Sequence, residues 1–157
     1  MISPANLNSL GELPMILSKN QLFSDDQAIT GNADSTNVID LGVTATPYGA
    51  AAALNGDVGK GNKIPLLVQV TEAFNTLTSL KIILSTGSTT GLGTEIASQT
   101  ILLAGLTVGK QINIDFLPNG ITERYLGMEY VVAGSNPSQG KITAGISMGN
   151  QTNTTGA

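Results

Sequence analysis

Lys141-Ile-Thr-Ala-Gly-Ile-Ser-Met148 alternates apolar with small or polar residues over a full strand length, directly after the loop Gly134-Ser-Asn-Pro-Ser-Gln-Gly140. Side chains of an extended chain point to opposite faces in turn, so Ile142, Ala144, Ile146 and Met148 share one face. That pattern predicts a half-buried β-strand. The same reading extends upstream. Tyr125 to Ala133 is a long strand. Gln111 to Phe116 alternates cleanly, with Ile112, Ile114 and Phe116 inward, and Pro118-Asn119-Gly120 supplies its turn. Ile96 to Leu103 is another strand, and the Gly-rich stretch from Thr86 to Gly93 is loop. Leu80 to Thr86 puts Leu80, Ile82 and Leu84 on one side, and Leu66 to Thr71 is a continuous apolar run. Leu22 to Ile29 and Val38 to Leu41 complete a set of about eight strands.

Helical signals are few. Ala50 to Ala53 has room for one turn between Gly49 and Asn55-Gly56, and Ser3-Pro4 resembles a helix start that Gly11 and Pro14 end early. Short strands at regular spacing with little helix predict an all-β, antiparallel β-sandwich of one domain. Two segments exceed a minimal sandwich. Residues 1–17 form an N-terminal arm dotted with apolar side chains. Within the domain (18–149), residues 42–63 form a long Gly/Ala-rich loop, of a length that is usually functional or disordered. Residues 150–157 read as a flexible polar tail.

Composition narrows the function. At 157 residues a single domain buries roughly 70% of the surface its unfolded chain exposes, enough for a core without disulfides. There is no His, Cys or Trp, which removes most neutral-pH acid/base chemistry, thiol nucleophiles and soft-metal ligands; no cofactor is expected. Charged residues make up only 11% of the chain and the net charge is −4. Nucleic-acid binding is disfavoured, because the seven basic residues are scattered and form no stripe to displace counterions. No apolar run reaches the ~20 residues of a membrane helix. Met1 to Leu17 lacks the basic start of a signal peptide. Two explanations of the low charge stay open: a Thr/Ser/Asn surface that dissolves without charge, or a surface covered by partners, since interface cores are depleted in charge.

Motifs with chemical potential mostly dissolve on inspection. Gly59-Lys60 has Leu54 and Gly61 where a phosphate loop needs Gly and Ser/Thr. Ser138-Gln-Gly-Lys141 has serine–lysine spacing but spans a turn and a strand start, where a catalytic pair needs one helical turn. Asp25-Asp26 are strand neighbours and point apart. Arg124, the sole arginine, reads as a structural ion pair or backbone anchor at a strand mouth. The sequons at Asn150 and Asn153 lie in the tail. Among the six aromatics, Phe116 and at least one of Tyr125 and Tyr130 belong to the core. Tyr48 is the one clear candidate for an exposed ring.

Several stretches in order, Asn20-Gln-Leu-Phe-Ser-Asp-Asp-Gln-Ala-Ile-Thr30, Ser35-Thr-Asn-Val-Ile-Asp-Leu-Gly42, Pro65-Leu-Leu-Val-Gln-Val-Thr-Glu-Ala-Phe-Asn75, Arg124-Tyr-Leu, Ala133-Gly134 and Gly140-Lys-Ile-Thr-Ala-Gly145, resemble the capsid cement (decoration) proteins of tailed bacteriophages, of the type known from a Bordetella phage. The resemblance implies a jelly-roll-like sandwich that self-associates as a homodimer or homotrimer. It implies a place on the outer surface of the phage head after assembly in the host cytoplasm, where the protein clamps neighbouring copies of the major capsid protein. It implies no catalysis. Residues 1–14 and the 42–63 loop look like additions to the family pattern. The interface candidates are Leu7, Leu10, Leu13 and Ile16 in the arm and Tyr48 and Leu54 in the loop. The alternative from another class is a carbohydrate- or receptor-binding sandwich displayed on the virion.

Overall fold

The computed structural model describes residues 17–54, 56, 58, 63–112, 114, 117–118 and 121–147. Among the described residues, eight strands run in the order β1 (Leu17–Ala28), β2 (Ala33–Asp34), β3 (Ile39–Asp40), β4 (Leu66–Glu72), β5 (Leu77–Gly87), β6 (Thr94–Leu102), β7 (Tyr125–Gly134) and β8 (Lys141–Ser147), with a single 3-10 turn at Leu103–Gly105. They form two antiparallel sheets. The first has the order β1-β8-β4; the second has β2-β7-β5-β6, with β3 also paired to β7.

β2 and β3 behave as one interrupted strand. Ala33 lies opposite Tyr130 and Asp40 opposite Tyr125, and between them the Ser35 amide still donates to the Met128 carbonyl (2.7 Å). The first sheet also gains an irregular fourth member. Gly109 N donates to Val70 O (2.8 Å), Val70 N to Lys110 O (2.9 Å), Ile112 N to Val68 O (2.8 Å) and Leu117 N to Ile64 O (2.9 Å). Counted this way, the sheets have strand orders 1-8-3-6 and 2-7-4-5, the wrapping of a jelly roll built from two Greek keys.

The expected strand at 111–116 is therefore corrected. Its described residues make one isolated bridge, Gln111 to Gln69, because Ile114 N turns back onto Ile112 O (3.0 Å) and that tight local bond interrupts the ladder. Ile112 and Ile114 are nonetheless buried. Phe116 and Met148 lie outside the described residues. A second correction concerns Ala50 to Ala53. Ala50 N closes a β-turn on Pro47 O (3.0 Å), and Gly49 at its third position has φ +83°, a geometry glycine adopts without the Cβ penalty.

The core fills the space between the sheets with alternate residues of each central strand: Val68 and Val70, Leu80, Ile82 and Leu84, Leu126, Met128 and Tyr130, Ile142 and Ala144. The positions between them lie on the opposite face of each strand, as a period of two requires, where Ile83 is also buried. Phe23 of β1 and Phe74 of the β4–β5 connection join this core. One polar network crosses this interior. Ser24 Oγ donates to Gln27 Oε1 (2.7 Å), which commits its only proton, so the Tyr130 hydroxyl must be the donor in the 2.7 Å Ser24–Tyr130 contact. Gln27 is held in turn by the Thr36 amide and by its own Nε2 on Asp34 O. Burial pushes the Tyr130 phenol well above its usual pKa.

Candidate functional site

Register alone defines the two ends of the sandwich. Leu17 lies opposite Ser147, and Ser147 N donates to Pro65 O. In the other sheet Gly87 and Asp40 both lie opposite Tyr125. The Phe23 carbonyl accepts from Asn37 N (3.0 Å), and Lys19 and Asn20 share a groove with Ile39 and Asp40, so β1 begins beside the end of β3. Leu17, the root of the 42–63 loop, the 88–93 connection and residues 121–124 therefore gather at one end. The 42–63 loop issues from this end.

The root of that loop is built around Asp40. Its carboxylate accepts Arg124 Nε at 2.8 Å and Arg124 Nη2 at 2.7 Å, a fork-on-fork pair. The Gly42 amide adds a third donor at 2.8 Å, and Leu41 N donates to the Arg124 carbonyl (2.8 Å). The guanidinium and that amide together hold the Asp40 carboxyl down to a pKa of about 2. The guanidinium also lies over the Tyr125 ring, 4.8 Å from its centroid. Arg124 thus has the anchoring role expected of it.

Beyond the root, Ala45 and Leu54 exchange both backbone hydrogen bonds (3.1 and 2.8 Å), making the start of the loop a small hairpin. The Pro47–Ala50 turn forms its tip, and Tyr48 on that turn is fully exposed. Val43 (62% exposed) and Leu54 (59%) add apolar surface. An open groove of about 510 Å³ runs past the root, bordered by Val43, Thr44, Ser88, Thr122, Glu123 and Arg124. Tyr48 and Leu54, expected as contact residues, thus stand on one projecting element, and Val43 joins them there. Nothing in the sequence set Val43 apart from the other β-branched residues; only its failure to meet the core does so. Leu7, Leu10, Leu13 and Ile16 lie outside the described residues, as do Gly59-Lys60 and the 150–157 tail.

The remaining polar motifs are spent on structure. Asp26 sits in a bulge of β1 with φ +49°. There it accepts Thr71 Oγ1 (2.6 Å) and Lys141 Nζ (2.9 Å), which lower its pKa. Ser138 is exposed, its hydroxyl accepts from Asn75 Nδ2 (2.8 Å), and its amide donates to Asn75 Oδ1. The Ser138–Lys141 spacing therefore marks a turn followed by a strand, with the lysine engaged elsewhere. What this end offers a partner is contact area, apolar at the hairpin and polar in the groove.

The sequence model of the Bbp16 family matches residues 23–146, from within β1 almost to the end of β8. No curated protein matches the chain.

Proposed function

This chain belongs to the Bbp16 family of bacteriophage proteins, and from that premise we propose that it is a capsid cement protein, which binds the outside of the phage head and clamps neighbouring major capsid subunits. The observation that carries this reading is the projecting hairpin with a bare tyrosine at its tip and two further apolar side chains. An exposed cluster of this kind serves a soluble monomer poorly and a docking surface well.

The magnitudes favour clamping by several contacts at once. Burying Val43, Tyr48 and Leu54 contributes roughly 1.5–3 kcal/mol each, while association costs at least ~4 kcal/mol in lost freedom. One such contact is weak. Copies linked to each other on a shell, with the arm residues Leu7, Leu10, Leu13 and Ile16 adding area, turn each later contact into a local event at high effective concentration. The mechanism needs no catalytic group, cofactor, nucleic acid or membrane.

The test is uptake by phage heads stripped of this protein. Saturable binding at a fixed ratio to capsid protein, with raised resistance of the heads to heat, is the expected result. Tyr48→Ser should weaken that binding several-fold and leave the melting temperature of the free protein unchanged; deleting residues 1–14 should also weaken it. Heads that take up none of the protein would defeat the proposal. The exposed Tyr48 ring also suits stacking on a sugar, so glycan binding abolished by Tyr48→Ala, without head binding, would favour the receptor-binding alternative.

A further inference from the structure

We propose that the groove at the loop root receives one basic side chain, a lysine or arginine of the capsid subunit, with Glu123 as its anchor. The inference rests on the docking role proposed above and names the chemical group that the docked partner presents.

Glu123 carries an unmet charge. Its Oε2 is shut off from water and has no hydrogen-bond partner. Among the described residues one other buried side-chain polar atom shares that condition, the neutral hydroxyl oxygen of Ser85. An ionised oxygen left without a donor costs far more than a hydroxyl. Elsewhere the chain pairs its carboxylates: Asp26 and Glu72 with Lys141, Asp40 with Arg124, and Glu95 with Lys81. No ion pair among the described residues includes Glu123. Arg124, its neighbour in sequence, is committed, with two nitrogens on Asp40 and its plane over Tyr125.

The missing donor has room to arrive from outside. Glu123 borders the groove of about 510 Å³ together with Val43, Ser88 and Thr122. Val43 offers an apolar wall to an alkyl stem, which a long basic side chain buries while its head stays polar. The exposed Ser88 and Thr122 hydroxyls can accept the N–H groups that Glu123 does not. Because Oε2 makes no hydrogen bond where it lies, turning the carboxylate toward the groove about its soft terminal torsion breaks none. The walls are set beforehand. Leu41 N donates to the carbonyl of Arg124, and Gly42 N to the Asp40 carboxylate, so little freedom is lost on binding.

Charge and continuity select the occupant. Val43 belongs both to this groove and to the apolar surface of the hairpin, so a partner resting on Tyr48 and Leu54 also reaches the groove. A carboxylate inside it accepts a cation and rejects an acid, and a net charge of −4 draws a basic surface toward the molecule.

Two measurements on the full-length protein test this. In the first, without a capsid, the isotope-labelled protein is titrated with Nα-acetyl-arginine amide, its lysine equivalent and its uncharged citrulline equivalent while amide NMR signals are followed. A cationic probe should shift the signals of Ser88, Thr122 and Glu123 with affinity on the order of millimolar; citrulline should not, and Glu123→Gln should abolish the response. In the second, Glu123→Gln should bind stripped heads about tenfold more weakly and melt no lower than the wild type, since it removes a charge that the free protein leaves unpaired. Glu123→Asp, which keeps the charge, should recover part of the binding. Heads that take up Glu123→Gln as well as the wild type overturn this inference and leave clamping intact. A groove that binds the cationic probes in a protein no head takes up keeps the receptor and removes the capsid as its partner. Probes that shift nothing, or a Glu123→Gln protein that melts well below the wild type, make Glu123 a structural group and overturn the inference.

Discussion

Replacing Ser24 by Ala tests whether the polar bridge through the core joins the two sheets. In the native chain the Tyr130 hydroxyl donates to Ser24 Oγ across the interface, and both residues are fully buried. Ser24→Ala leaves that phenol hydroxyl without an acceptor in an apolar interior, which costs about 1–3 kcal/mol. Tyr130→Phe alone is milder. The Ser24 hydroxyl keeps its own acceptor on Gln27, so only the net value of one hydrogen bond is lost, about 0.5–1.5 kcal/mol. In the double variant no buried hydroxyl is orphaned, and the expected loss lies close to that of Tyr130→Phe. The two substitutions should therefore be non-additive by about 1–3 kcal/mol, the whole cost of Ser24→Ala alone, above the ~0.5 kcal/mol scatter of independent sites. Urea unfolding of the four proteins at equal concentration measures the cycle, and in a chain of this size each kcal/mol corresponds to about 2–4 °C in Tm. Additivity within 0.5 kcal/mol would refute the reasoning, as would a Ser24→Ala protein no less stable than the native one.

Gly140→Ala should be strongly destabilising, by about 3 kcal/mol. The residue has φ +135°, and an added Cβ would land on the Phe74 ring, part of the buried core; denaturant midpoints read the loss. Acid should loosen the 42–63 loop before the core. The Asp40 carboxyl is held at about 2 against its ordinary 3.8, so its contribution is complete above the ordinary value and fades as pH falls through 2. Proteolysis of the loop by an acid-active protease should accelerate between about pH 4 and 2, and Asp40→Asn should show the faster cleavage at neutral pH. Arg124→Lys, which lacks the planar fork, should behave like Asp40→Asn; cleavage unchanged in both variants would remove the ion pair from its role at the loop root.

The period-of-two pattern in β5 and β8 determined which of their residues face the core, because pleating sends neighbours to opposite faces whatever the partner strand. Composition likewise withheld the side chains of most enzyme chemistry. Tyr48 was legible as the free ring because the other aromatics sit within or beside apolar strand patterns. Only the tertiary structure decided the rest, since each remaining feature depends on residues far apart in the chain. The bulge at Asp26 answers to Thr71 and Lys141, the arrest of the 111–116 alternation to a local turn seated against β4, and the anchoring of the long loop to an aspartate and an arginine 84 positions apart.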